Sequence, residues 1–352
     1  MLENNTKRIM YLDLLRIFSI FAMMVIHIAA IDMVNVGVDT FTWQTFNLYD
    51  SLARFCVPIF FMISGVFFLD NDKKFSTKKL FSKNIIRILT ALIFWSIMYN
   101  LVYVLLAYIN KNPITLIDLF NRLIGGHYHL WFLFTLVGLY LIAPLLRKIT
   151  EEKSKTEYFI ILFFIFCLLL NFLHIIPVFT DIINILNTKI NMYLVLGYSG
   201  YFVLGLYLYK YDISKVLTKA IYILGVVSIL FTIIATGYIS IKTGTAYTAF
   251  YDFLLPNTFF TAAAVFLFFK NVVSKVHFSI QKESFIYLLS KLTFCMYLVH
   301  VFVMQALNLV GITTLSYPAI ISVPLNTILV FLISFLIASI INKIPVLNKY
   351  IM

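Results

Sequence analysis

The chain has 352 residues, of which 62% are hydrophobic and only 12% charged, about half the charged share of a soluble domain. With a mean hydropathy of +0.97, this composition excludes a soluble globular enzyme. The formal net charge of +12 does not point to nucleic acid either, because the basic residues are distributed by topology and not gathered into one patch.

Apolar runs of about 20 residues, each long enough to cross a bilayer, recur between polar breaks. They predict an all-α integral membrane fold, a bundle of about ten transmembrane helices at 9–31, 51–69, 87–108, 129–146, 157–176, 192–209, 219–239, 250–269, 287–310 and 318–341. If the N-terminus is cytoplasmic, twenty-one of the 27 Lys and Arg residues fall on the cytoplasmic side and five on the other, with Arg16 inside the first helix. The positive-inside rule then places both termini in the cytoplasm. A single domain over 1–352 is expected, with no appended soluble domain. The first apolar segment is too long for a signal-peptide core and is expected to remain as a helix. The three cysteines, Cys56, Cys167 and Cys295, lie in apolar runs without metal or pairing spacing and are read as packing residues.

In the first helix, "YLDLLRIFSIFAMMVIHIAA" (11–30) carries Asp13, Arg16 and His27. Ionisable groups at membrane depth are expensive and mark functional sites by default. Arg16 and His27 are eleven residues apart, close to three full turns and about 16 Å along the axis, so they share one side of the helix. Asp13 lies near the same face. Snorkelling to opposite headgroup layers is the structural alternative, but lipid-facing snorkels need not align. The second segment, "RFCVPIFFMISGVFFL" (54–69), puts Arg54 at its outer end and Ser64 and Gly65 deep within it; the glycine fits close helix packing. Arg87 opens the third segment at the cytoplasmic face, where a lone arginine also serves as a topological anchor.

"HYHLWFL" (127–133) places His127, His129 and Trp131 at the outer start of the fourth segment. Tyr128 and Trp131 alone would be an aromatic belt. On a helix, the spacing of the two histidines sends them to different faces, and no acidic or cysteine cluster joins them, so no metal site is expected. Pro177 and Pro256 mark turns near helix ends, and 276–285 is a candidate for lying along the inner interface. "YLVH" (297–300) sets Tyr297 and His300 on one face of the ninth segment near mid-membrane. His174 and His277 read as interface residues.

The chain resembles the acyltransferase 3 family of integral-membrane acyltransferases. The resemblance is carried by "LDLLRIFSIFAMMVIH" (12–27), "RFCVPIFFMISGVFFL" (54–69), Arg87, "HLWFLFTLVGLYLIAP" (129–144), "GYFVLGLYL" (200–208) and "TFCMYLVH" (293–300), in the family's order. The chain departs from the family in lacking a proline shortly after Arg87. The resemblance implies transfer of an acyl group, usually acetyl, from cytoplasmic acyl-CoA to a hydroxyl of a surface glycan or lipid-linked saccharide. It implies a multi-pass protein of a bacterial plasma membrane, with acetyl-CoA as donor substrate and no permanently bound cofactor. His27 would be the catalytic base, Arg16 would serve catalysis and the coenzyme, and Arg87 and Ser64 would be coenzyme contacts. Arg54, His129, Trp131, Tyr297 and His300 would line the acceptor side, with Asp13 and Gly65 as structural support. An arginine suits phosphate, and an imidazole suits general-base work near neutral pH. A glycan exporter or amino-acid permease on the same membrane fold is the alternative.

Overall fold

The computed structural model describes residues 8–190 and 197–350, and within them the chain is helical with no strand. The helices are α1 (Met10–Ile31), α2 (Phe41–Ala53), α3 (Cys56–Phe68), α4 (Thr77–Ile109), α5 (Leu116–Gly125), α6 (Trp131–Ile149) and α7 (Lys153–His174). They continue as α8 (Thr180–Ile190), α9 (Ser199–Lys210), α10 (Lys215–Thr243), α11 (Pro256–Asn271), α12 (Ile280–Leu309), α13 (Ala319–Lys343) and α14 (Pro345–Tyr350). Among the described residues, nine helical segments are long and apolar enough to cross a membrane. The protein is an all-α, multi-pass membrane bundle.

The tenth expected segment, 192–209, corresponds to α9. Its positions 192–196 lie outside the described residues, as do Lys7 and the side chain of Lys349. The twelve residues of α9 are largely buried against α3, α7 and α11. Two glycines make the close approach to α3 possible. A Cβ on Gly65 would sit 1.7 Å from the carbonyl oxygen of Phe202, and one on Gly205 would sit 2.1 Å from that of Met62. Each helix therefore presents a glycine to the other's backbone, the usual way for membrane helices to pack closely.

The second segment begins earlier than its apolar run suggests. Hydropathy marks 51–69, whereas the chain is helical from Phe41 to Phe68 with a break at Arg54–Phe55. Pro58 supplies a physical cause: it has no N–H for the carbonyl four residues back, so the ladder is interrupted at Arg54. α2 is polar enough to resemble a loop because its polar side chains face protein. Asn47 donates to the carbonyl of Ile233 at 2.9 Å and accepts from the Tyr251 hydroxyl at 2.7 Å. Pro177 opens a short 3-10 turn and Pro256 is the first residue of α11, both at segment ends. Within the 276–285 stretch, α12 is helical from Ile280. All three cysteines are buried and unpaired.

α1 lies at the centre, packed against α2, α3, α11, α12 and α13. A helix surrounded by protein can carry polar groups that a lipid-facing helix cannot. That position makes room for the polar stripe of α1.

Candidate active site

Five helices enclose a cavity of about 430 Å³, within the roughly 300–1,000 Å³ typical of small-molecule sites. α1 contributes Asp13, Arg16, Ile20, Met23 and His27, one stripe at the three- and four-residue spacing of a helix face. α12 contributes a second stripe through Tyr287, Ser290, Phe294 and Tyr297. Val57, Phe60 and Ser64 come from α3, Phe132, Leu136 and Tyr140 from α6, and Asn84, Arg87 and Ile88 from α4. Within α4, residues Leu80–Ile85 form a π turn. Such turns recur at functional sites, and this one carries Asn84 into the lining and leads directly to Arg87.

The two ends of the cavity differ in chemistry. One end holds Arg16, Arg87, Lys291, Asn84 and Asp13; the other holds His27, His129 and Trp131. α1 is unbroken between Arg16 and His27, so the ends are about 16 Å apart along its axis.

At the basic end, Arg16 makes no ion pair or hydrogen bond with another described residue. Asp13 and Tyr140 act on it through space, and its guanidinium carbon lies 5.6 Å from the centre of the Phe67 ring. The nearby carboxylate is engaged elsewhere: Asp13 accepts from Ser290 at 2.5 Å and from Arg8 at 2.8 Å. Arg87 faces the Phe294 ring at 5.9 Å. Tyr140 is a hydrogen-bond neighbour of Ser64 and lies within electrostatic reach of both guanidinium groups. The half-buried Arg16 guanidinium, with no carboxylate in contact among the described residues, is a ready anion site, since an unpaired charge away from water is costly.

At the far end the imidazoles gather. The His27 ring centre is 5.0 Å from that of His300 and 5.6 Å from that of Tyr128. His129 and His300 are 5.3 Å apart. His127 and His129 meet through their Nδ1 atoms at 3.0 Å, contrary to the expectation that helical spacing would part them. The reason is local: they precede α6. Gly126, at φ 70°, turns the chain where a side chain would be strained, and Tyr128–Leu130 then forms a 3-10 turn. The Tyr297 hydroxyl donates to the carbonyl of His129 at 2.6 Å, and Tyr99 stacks on His127 at 4.4 Å. The turn is thereby clamped to α12 and α4.

Of the residues expected at the site, Arg16, His27, Ser64, Arg87, His129, Trp131, Tyr297 and Asp13 line the cavity. Arg54, His300 and Gly65 do not. The Arg54 guanidinium is taken up by the carboxylate of Asp50, one turn earlier, and by the carbonyl of Tyr251 at 3.2 Å. It also lies over the rings of Tyr251 and Phe253. α2 supplies that partner. His300 is fully buried behind His27. Tyr140, Asn84 and Lys291 are lining residues that sequence reasoning passed over. Tyr140 follows Phe132 and Leu136 at four-residue steps, the same stripe signal that singled out α1. Among the described residues, no group of three or more His, Cys, Asp or Glu is placed to hold a metal ion.

A family model described as an acyltransferase domain matches residues 9–343, nearly the whole chain. No curated protein and no solved structure matches it.

Proposed function

The chain belongs to the acyltransferase 3 family, and on that premise we propose that it carries an acyl group, acetyl in the first instance, across a bacterial plasma membrane. The donor is cytoplasmic acyl-CoA and the acceptor is a hydroxyl of a glycan or lipid-linked saccharide at the outer side. Both termini face the cytoplasm, a reading supported by the excess of Lys and Arg in the loops of that side.

One observation carries this reading. Arg16 and His27 lie on the same stripe of one cavity, about 16 Å apart, with the guanidinium lacking a carboxylate in contact. That separation is of the order of an extended pantetheine arm. The phosphate-bearing head of the coenzyme binds Arg16 and Arg87 at the inner end, beside Ser64 and Lys291. Guanidinium forks suit phosphate oxygens. The arm then follows the apolar wall formed by Ile20 and Met23 and brings the thioester to His27.

The acceptor enters from the other end, where Trp131, Tyr297 and His129 line the wall. Arg54 and His300 support that wall from behind. A neutral His27 takes the proton of the acceptor hydroxyl as its oxygen attacks the thioester carbonyl. The carbon–sulfur bond breaks, the new ester forms, and the proton passes to the departing thiolate. The products are acylated saccharide and free CoA, with atoms and charge balanced.

The test uses protein reconstituted with membrane glycan and labelled acetyl-CoA. Wild type transfers label, and His27→Ala loses about 10²–10⁴-fold in rate while inserting and eluting as wild type does. Transfer retained by His27→Ala overturns the base assignment. Vectorial uptake of substrate without acyl transfer would favour a permease on the same fold.

A further inference from the structure

Among the described residues, the surroundings of His27 lack the group that usually steadies a histidine base. The charged or titratable groups coupled to it through space are Arg54, His127, His129 and His300, and the rings against it are those of Tyr128 and His300. No carboxylate is among them. A base that takes and returns a proton works best when a third group fixes its tautomer and orientation.

His300 is built for that part. Its Nδ1 lies 2.6 Å from the carbonyl oxygen of Tyr297, one turn back on α12. A carbonyl only accepts, so Nδ1 carries the hydrogen and the neutral ring presents a lone pair at Nε2. That Nε2 is fully buried and has no hydrogen-bond partner among the described residues, a costly arrangement for a strong acceptor. The His27 and His300 centroids are 5.0 Å apart, with the rings tilted by 44°. An N–H···N bond between two imidazoles, with N···N near 2.9 Å, gives a centroid separation of about the same size. The centroid separation leaves the two rings within reach of such a bond, and catalytic hydrogen bonds often close only when substrate arrives.

We infer that His300 is the positioning residue of His27. Its Nε2 accepts the N–H of one His27 nitrogen, so the other nitrogen is free of hydrogen and faces the acceptor hydroxyl. When that nitrogen takes the hydroxyl proton, His300 stabilises the imidazolium; the proton then leaves with the CoA thiol, and His300 keeps its own proton throughout. The inference rests on the reading of His27 as base.

Two variants separate the halves of the His300 ring. His300→Asn keeps a donor for the Tyr297 carbonyl and loses the acceptor at the Nε2 position. His300→Gln places an amide oxygen where Nε2 lay. With labelled acetyl-CoA and membrane glycan, His300→Asn lowers kcat by about 10- to 100-fold and leaves KM for acetyl-CoA unchanged. His300→Gln recovers at least half of that loss on a logarithmic scale.

Equal rates for the two variants, or a wild-type rate for His300→Asn, overturn the inference. His27→Ala is the control. If it retains transfer, the base reading fails and this inference with it; if it is inactive while His300→Asn is unimpaired, this inference fails alone. A cryo-EM structure of the wild type with acetyl-CoA bound needs no variant to fold. A His27–His300 nitrogen separation within about 3.2 Å is expected, and a His300 Nε2 bonded to His129 or to the acceptor overturns the assignment.

Discussion

Replacing Gly65 by alanine perturbs the α3–α9 crossing without touching a lining side chain. The added Cβ would lie 1.7 Å from the Phe202 carbonyl oxygen, whereas ordinary contact begins near 3.4 Å. The obstructing atom is backbone, so no side-chain rotation relieves it, and the two helices must separate locally by about 1.7 Å, the difference between those distances. Overpacking of this kind costs about 1–3 kcal/mol. The displacement also reaches the cavity, because Ser64 precedes Gly65 and neighbours Tyr140. A misplacement of the order of 1 Å can lower a rate about 10²-fold. Thermal unfolding of the detergent-purified protein, paired with the acetyl-transfer assay, reads both effects. Gly138→Ala is the control: a Cβ there meets nothing within 4 Å, so it should unfold at or above the wild-type temperature. A Gly65→Ala protein that melts and transfers like Gly138→Ala would refute the close crossing.

Three further outcomes are expected. Arg16→Ala should raise KM for acetyl-CoA by about 10-fold or more, the value of a lost charge-assisted hydrogen bond. Arg16→Lys should recover little of it because an ammonium lacks the planar fork; steady-state kinetics over acetyl-CoA concentration decide, and an unchanged KM in Arg16→Ala would contradict the coenzyme role. Arg54→Ala leaves Asp50, 1% exposed, without its cation and should lose about 3–5 kcal/mol of stability. Chemical denaturation should show much of that loss restored in the Arg54→Ala, Asp50→Asn double variant. Arg147 donates to the carbonyls of Phe68, Asp70 and Lys73 at 3.0, 2.8 and 3.2 Å. Arg147→Met should therefore lower the melting temperature while leaving KM for acetyl-CoA unchanged; a shifted KM would place Arg147 in the binding site instead.

The parts of the site that lie along one helix were readable from spacing alone. Arg16 and His27 share a face because eleven residues make about three turns, and α1 is continuous between them. Partners between helices were not readable. The four-residue stripe through Phe132, Leu136 and Tyr140 marks a face of α6, but its meeting with Ser64 and the two guanidinium groups depends on how α3 and α6 pack. Arg54 looked available for an acceptor because α2 was hidden: its Asn47 and Asp50 lower the hydropathy that reveals a membrane helix. Helical spacing parts His127 from His129, but Gly126 begins a turn there and the two side chains meet. His300 shared a face with Tyr297, but its burial behind His27 is a property of the packed bundle.

In the proposed function, one cavity joins a cytoplasmic coenzyme site to an acceptor on the opposite side. Vesicles of defined inside-out orientation, with glycan acceptor sealed in the lumen and labelled acetyl-CoA added outside, test it directly. Wild type should place label on the lumenal glycan, while His27→Ala should leave it unlabelled at equal protein content. Label appearing only on acceptor supplied on the same side as acetyl-CoA, or lumenal labelling by His27→Ala at the wild-type rate, would contradict it.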